Sequence, residues 1–263
     1  MGVAMGALLG GSLNSLRYER TAKRIRVSLG DRQVADTRDA LLVWEPRRVV
    51  PTYAVPVSAL SALSVSLEPA AVAPVDSGSA ILDPRNPFAE HTCAGASFDV
   101  VASGRAAGAA FRPVDPDLAG YVVLAFDAFE WLEEDEPIVA HPHDPFHRID
   151  ILRSSRDVRV SLDGLVLAHS AAPMLLFETY LPVRFYLPRA DVVAELEPSS
   201  SVTYCAYKGR ASYFSLRGAD VAWTYREPLR EAEPIRDLVC FFDERVDVIV
   251  DGEQRERPVT PFS

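Results

Sequence analysis

The chain has 263 residues, of which 48% are hydrophobic and 24% charged. Those values exclude a disordered, collagenous or coiled-coil protein, and a chain this long buries a core without disulfide staples. The net charge of -10, from 27 basic and 37 acidic residues, repels phosphate backbones and anionic lipid, so neither nucleic acid nor a membrane is expected as a partner.

Residues 1–12 are small and apolar. They lack the basic stretch of a signal peptide and are too short to span a bilayer. Met1-Gly2 resembles a myristoylation start, but Gly6 stands where Ser or Thr is needed. Residues 1–20 therefore read as a flexible leader, and the protein as cytoplasmic. The basic cluster from Arg17 to Arg26 is interrupted by Glu19 and apolar residues, which makes it a poor nucleic-acid site.

From residue 24 onward the pattern is that of β-strands. Arg24 to Val27 alternates polar and apolar residues, Gly30-Asp31 supplies a two-residue turn, and Leu41 to Trp44 is a continuous apolar run expected to be a buried strand. Pro56 suits the start of one helical turn. Val122 to Glu136 reads as a strand followed by a short helix, with Glu133-Glu134-Asp135-Glu136 as a solvated acidic end.

The same series then recurs. Ile25-Arg26-Val27-Ser28-Leu29 aligns with Val158-Arg159-Val160-Ser161-Leu162, and Asp163-Gly164 repeats the turn. Leu41-Leu42-Val43-Trp44-Glu45 meets Met174-Leu175-Leu176-Phe177-Glu178, and Ala110-Phe111 meets Ala222-Trp223. Pro188 repeats the helical start of Pro56, and Val202 to Leu216 holds two strands around Gly209. Each copy is long enough for a core of its own. The chain reads as a tandem duplication: a leader (1–20), a first β repeat (21–140), a linker (141–152), a second β repeat (153–255) and a tail (256–263). The expected fold class is mainly β, two tandem antiparallel β domains with a few short helices, packed on each other.

The linker segment contains His141, His143 and His147. Extended chain would point the first two the same way, as in some zinc sites, but Pro142 and Pro145 favour an irregular solvated joint. Phe146 and Arg148 are expected to dock that joint onto one domain, and no metal is assigned. Cys93, Cys205 and Cys240 are odd in number and widely spaced, which gives no disulfide framework and suits a reducing compartment.

Lys208 is one of only two lysines, with Lys23. It sits in Thr203-Tyr204-Cys205-Ala206-Tyr207-Lys208-Gly209-Arg210-Ala211-Ser212-Tyr213-Phe214. A compact ammonium beside Tyr207 and Gly209 can anchor an anionic ligand, Cys205 and Tyr213-Phe214 can line the same pocket, and Gly209 lets backbone approach it. Trp223 and Tyr225 are two apart and share a strand face, and with Glu178 and Tyr186 they could cage a cation or a planar ring. The competing structural reading makes Gly209 a turn and the aromatic residues sheet packing. The ligand site so defined comprises Glu178, Tyr186, Cys205, Tyr207, Lys208, Gly209, Tyr213, Trp223 and Tyr225.

The segment around Lys208 resembles a family called domain of unknown function 427, sometimes given a nucleotidyltransferase-like label. Its hallmark Thr-x-Cys-x-Tyr-Lys-Gly-x-Ala-x-Tyr-aromatic fits at every position. Ala222-Trp223-Thr224-Tyr225-Arg226-Glu227-Pro228 is similar to a second element of that family, and Pro145 to Asp150 is similar to the joint of actinobacterial tandem members. The resemblance implies two curved antiparallel sheets meeting like a tent over a pocket, and it implies no particular reaction. The first repeat has Thr92-Cys93-Ala94-Gly95-Ala96-Ser97-Phe98 with no Tyr-Lys, so it is expected to have lost the site or to serve as a packing partner.

Known catalytic patterns are missing: no G-x-S-x-G elbow, H-E-x-x-H, P-loop or dinucleotide fingerprint. Gly11-Ser12 is not followed by the paired aspartates that nucleotidyl transfer with magnesium needs. No cofactor is expected. The leading expectation is a small-molecule-binding module with its pocket in the second repeat. The alternatives are an unrecognised enzyme using the same residues, with Cys205 as nucleophile, and a structural or interaction protein with no ligand.

Overall fold

The computed structural model describes residues 2–71 and 77–260. Met1 of the expected leader and residues 261–263 of the expected tail lie outside them. The chain divides into two compact units, Met1–Asp144 and Pro145–Ser263.

In unit 1 the strands are β1 (Arg17–Arg20), β2 (Ile25–Leu29), β3 (Arg32–Thr37), β4 (Leu41–Trp44), β5 (Thr52–Pro56), β6 (Ser66–Pro69), β7 (Gly95–Val101), β8 (Arg105–Pro113), β9 (Tyr121–Leu124), β10 (Glu130–Glu133) and β11 (Glu136–Pro137). They form a seven-stranded antiparallel sheet in the order β1-β4-β5-β9-β8-β7-β6 and a four-stranded one, β11-β10-β2-β3. Helices α1 (Met5–Gly11) and α2 (Val57–Ala62) are short, and Pro56 caps α2 as its fixed φ allows. Arg17–Arg20, read from sequence as leader, is a sheet strand paired with β4.

Unit 2 contains β12 (Ile149–Arg153), β13 (Val158–Leu162), β14 (Leu165–Ser170), β15 (Met174–Glu178), β16 (Arg184–Leu187), β17 (Glu197–Cys205), β18 (Gly209–Leu216), β19 (Ala219–Pro228), β20 (Val239–Phe241), β21 (Asp247–Val250) and β22 (Glu253–Gln254). Its sheets run β12-β15-β16-β20-β19-β18-β17 and β14-β13-β21-β22. This is the strand order of unit 1, strand for strand. Even the β-bulges coincide, one within Val27/Ser28 and one within Val160/Ser161 of the shared Arg-Val-Ser-Leu. The Asp163-Gly164 turn has both residues at positive φ, as a type I′ hairpin requires.

Alternation explains the burial. In β15, Leu175 joins Val158, Val160, Phe185 and Val248 between the two sheets, while Leu176 faces the other side with Tyr186, Trp223 and Tyr225. In β4, Leu42 and Trp44 face the inter-sheet core, and Leu41 and Val43 face the opposite cluster around Phe111. A strand covered on both faces has no polar side to alternate, hence the continuous apolar runs.

Three sequence expectations change. Glu133 is not a solvated acid: it is buried and bonded by Lys23 and by the Tyr53 hydroxyl at 2.8 Å. Val122 to Glu136 gives two strands around the 3-10 turn Phe126–Ala128 rather than a strand and a terminal helix. The joint is not uniformly solvated either, because His141 is buried in unit 1 while His147 belongs to unit 2. The basic cluster is spent internally, with Arg24 on Asp36, Arg26 on Asp135 and Arg17 on the Arg48 carbonyl. No described helix is long and apolar enough to cross a membrane.

Candidate functional site

Glu178 ends β15, where the strand's inward face runs out under the β17–β18 connection. Its Oε2 accepts a charge-assisted bond from Lys208, which that three-residue connection delivers. Its Oε1 accepts from His147 Nε2 at 3.1 Å. The Lys208 and Glu178 side chains are only 9% and 8% exposed, so the pair is desolvated. The Tyr207 ring stacks on His147 with centroids 4.5 Å apart.

Gly209 starts β18 at a φ of +87°, a conformation that glycine adopts without strain. It turns the chain so that Leu229 N–H reaches the Lys208 carbonyl at 3.2 Å. Of the expected site residues, Lys208 reaches the Glu178 carboxylate directly and Tyr207 reaches it by way of His147, which sequence placed in a solvated joint. Arg148, expected to help dock the joint, does so through its backbone, on Thr179.

The aromatic residues expected to form a cage are packed core. Tyr186, Trp223 and Tyr225 are 1%, 8% and 5% exposed. Trp223 Nε1 donates to the Tyr186 hydroxyl at 3.1 Å, and the two rings meet edge to face. Tyr213 bonds Thr203 and stacks on Phe242. Two hollows of unit 2 lie elsewhere: one lined by Pro182, Val183, Asp243, Val246 and Arg255, the other by Arg156, Glu253 and Gln254.

The electrostatics follow from burial and pairing. Burial alone would push the Glu178 carboxyl up, but the Lys208 ammonium and the hydrogen bonds from His147 and Lys208 outweigh it and hold it at about 2. Burial pulls Lys208 down, yet Cys205 and Glu178 more than compensate, and it stays protonated above its usual range. Burial drives the Tyr186 and Tyr225 phenols well up. A carboxylate this acidic is a weak base at neutral pH, and a fully protonated lysine is no nucleophile. Glu178 and Lys208 therefore present fixed charge and hydrogen bonds.

Unit 1 keeps a carboxylate at the same place. Glu45 directly follows β4, where Glu178 is the last residue of β15, and its Oε1 meets His91 Nδ1 at 2.7 Å. Its Oε2 accepts from the Thr92 N–H at 2.8 Å and from the Cys93 thiol. Unit 1 therefore lacks the Tyr-Lys pair but has a buried glutamate. No sequence signal singled out His91. Its ring lies flat on Phe111, 3.8 Å between centroids, and its Nε2 is buried without a partner. Among the described residues, no group of three or more His, Cys, Asp or Glu side chains could hold a metal ion.

Fold and site define a mainly β protein of two like-ordered units, each with a buried glutamate at the end of the same strand. Residues 150–252, nearly the whole strand set of unit 2, match the model of the family described as Domain of unknown function (DUF427). No curated protein matches the chain.

Proposed function

We propose that unit 2 is a small-molecule-binding module whose polar centre is Glu178 with Lys208 and His147. One observation carries this reading: two basic side chains from separate segments converge on one buried carboxylate. A buried ion pair contributes little net stability compared with apolar side chains of the same volume, so a recognition role accounts for the arrangement better than stability does. The protonation states favour binding over proton transfer. Tyr207 on His147 and the Cys205 thiol would lie against the ligand, with Tyr186, Trp223 and Tyr225 as the rigid floor.

The test is thermal shift against a metabolite panel, since a ligand selective for the folded state at 100 times its Kd adds about 2.7 kcal/mol. A compound that raises the melting point of the natural chain is expected to leave the Glu178→Leu/Lys208→Met double variant unmoved. A shift of equal size in both overturns the assignment, and a panel with no active compound favours the structural protein.

A second reading, an enzyme using Lys208, Tyr207, Cys205 and Glu178, draws on the ion pair that Lys208, three residues from Cys205, makes with Glu178. It requires that Cys205→Ser abolish turnover of a bound compound while leaving its binding intact. We also propose that the two units arose by duplication, which the matching strand orders and coincident bulges support. A cytoplasmic location is proposed on cysteine usage, all three being free thiols.

A further inference from the structure

Strand register fixes which residues of the two units correspond. Ala110 pairs with Leu124 and Ala222 with Phe241, so β9 and β20 match at those positions. Trp131 pairs with Val27 and Val248 with Val160, both within the shared Arg-Val-Ser-Leu. The stretch from Leu124 to Trp131 is as long as that from Phe241 to Val248. Phe126, Phe129 and Trp131 of unit 1 therefore stand where unit 2 has Asp243, Val246 and Val248. Beyond the last strand, Ile138 N–H bonds the Trp131 carbonyl at 3.2 Å and Arg255 N–H bonds the Val248 carbonyl at 2.8 Å, so Arg255 takes the place of Ile138.

In unit 1 this station is filled with rings. Phe126 lies flat on Trp131 with centroids 5.2 Å apart, and Phe129 meets Trp131 edge on. All three are buried, with Ile138 packed against their cluster. In unit 2 the same station is a hollow whose lining includes Val183, Val246, Val248, Asp243, Arg255 and Glu256. The exchange of three rings for two valines and an aspartate accounts for the space, since a protein interior is otherwise close-packed.

The charges around this hollow do not balance. Arg184 is held by Glu244 through bonds of 3.0 and 2.5 Å and stands 3.8 Å from Asp243, beyond hydrogen-bonding distance. Arg255 and Glu256 line the hollow with opposite charges. Asp243, its side chain 12% exposed, is the carboxylate left over. Burial and the neighbouring Glu244 raise it to about 6 against the pull of Arg184 and Arg255, the behaviour of a buried acid short of positive charge.

We propose that this hollow binds a small aliphatic ammonium compound, its charged head on Asp243 and its hydrocarbon part against Val183, Val246 and Val248. An ammonium supplies the missing positive charge and the hydrogen-bond donors that Arg184, committed to Glu244, does not give. The apolar lining is aliphatic and includes no ring, which suits a short alkyl chain rather than an aromatic cation. The site shares no residue with the Glu178 cluster and does not depend on its role.

The probes are n-butylammonium, with n-butanol as its neutral counterpart and butanoate as its anionic one, at matched ionic strength. Valine-methyl NMR of the whole chain reads binding at Val183, Val246 and Val248. Saturable shifts of these methyls are expected with n-butylammonium, and binding of the other two about tenfold weaker or less, the worth of a charge-assisted hydrogen bond. Asp243→Asn keeps the shape of the side chain and should weaken n-butylammonium to the level of n-butanol. Val248→Phe, which puts a ring back where unit 1 has Trp131, should block it; if that variant does not fold, Asp243→Asn decides. No saturable shift at these valines, n-butanol binding as well as n-butylammonium, or n-butylammonium binding unchanged in Asp243→Asn or in folded Val248→Phe overturns the inference.

Discussion

Glu45 and Glu178 stand at matching stations in their two units, Glu45 directly after β4 and Glu178 as the last residue of β15, each strand the second of a seven-stranded sheet. What meets them differs: an imidazole, an amide and a thiol in one unit, an ammonium and an imidazole in the other. A fold that repeats a costly buried carboxylate while changing its partners keeps the position for its geometry and varies the chemistry around it.

Removing one partner of the Lys208–Glu178 pair leaves an uncompensated buried charge. Lys208→Met alone is expected to destabilise unit 2 by about 3 kcal/mol or more, whereas Glu178→Leu/Lys208→Met should lie within about 1 kcal/mol of the natural chain. Urea unfolding followed at the unit 2 tryptophan, Trp223, reads both. Similar losses for single and double variants would contradict the pairing.

The same pair predicts acid sensitivity. The folded-state pKa of Glu178, about 2, lies below the ordinary 4.5. Its stabilising contribution is therefore complete above the unfolded pKa and disappears as pH falls from 4.5 towards 2. The linked free energy is on the order of 3 kcal/mol. Glu178→Gln should flatten this part of the stability profile measured by calorimetry between pH 6 and pH 2.5.

Asp243 has the opposite sign. Burial is the largest influence on it and, against the pull of Arg184, raises its carboxyl to about 6. A raised acid favours the protonated folded state, so its contribution is present below the unfolded pKa of 3.8 and is lost as pH climbs through 6. Asp243→Asn should raise the melting point at pH 7.5 and leave it unchanged at pH 3.5. A lowered melting point at pH 7.5 would show that the Arg184 contact outweighs desolvation.

Gly95 opens β7 against a crowded strand. A Cβ there would sit 2.3 Å from the Phe111 ring and 2.5 Å from the Arg112 carbonyl oxygen, one of them backbone that cannot step aside. Gly95→Ala is expected to cost unit 1 about 2 kcal/mol or more through overpacking, seen as an earlier unfolding transition of that unit alone.

The thiols give a labelling test. Burial, helped by Glu45, raises Cys93 to about 12, and burial raises Cys240 well above the usual range. Thiolate is the reactive form, so both should resist iodoacetamide at pH 8 in the folded chain and react fully in urea. Mass spectrometry of tryptic peptides distinguishes the two.

The sequence alone determined the β class, the recurring series of strand signals and the turn at Gly209. These are written in short-range signals: alternation, Asp-Gly and Gly-Asp turns, and identical stretches such as Arg-Val-Ser-Leu that carry the same bulge in both units. It missed what depends on distant segments meeting. Glu133 belongs to an acidic run in sequence, but β10 pairs with β2 and brings it to Lys23 and Tyr53. His147 lies in a proline-rich joint, and only the β12–β15 pairing carries it to Glu178. Tyr186, Trp223 and Tyr225 share a face as the spacing said, but whether that face is a hollow or a packed layer depends on what other strands and turns lay over it. Periodicity fixes which way a side chain points from its own strand, whereas its partner is chosen by the long-range closure of the sheet, which no local pattern encodes.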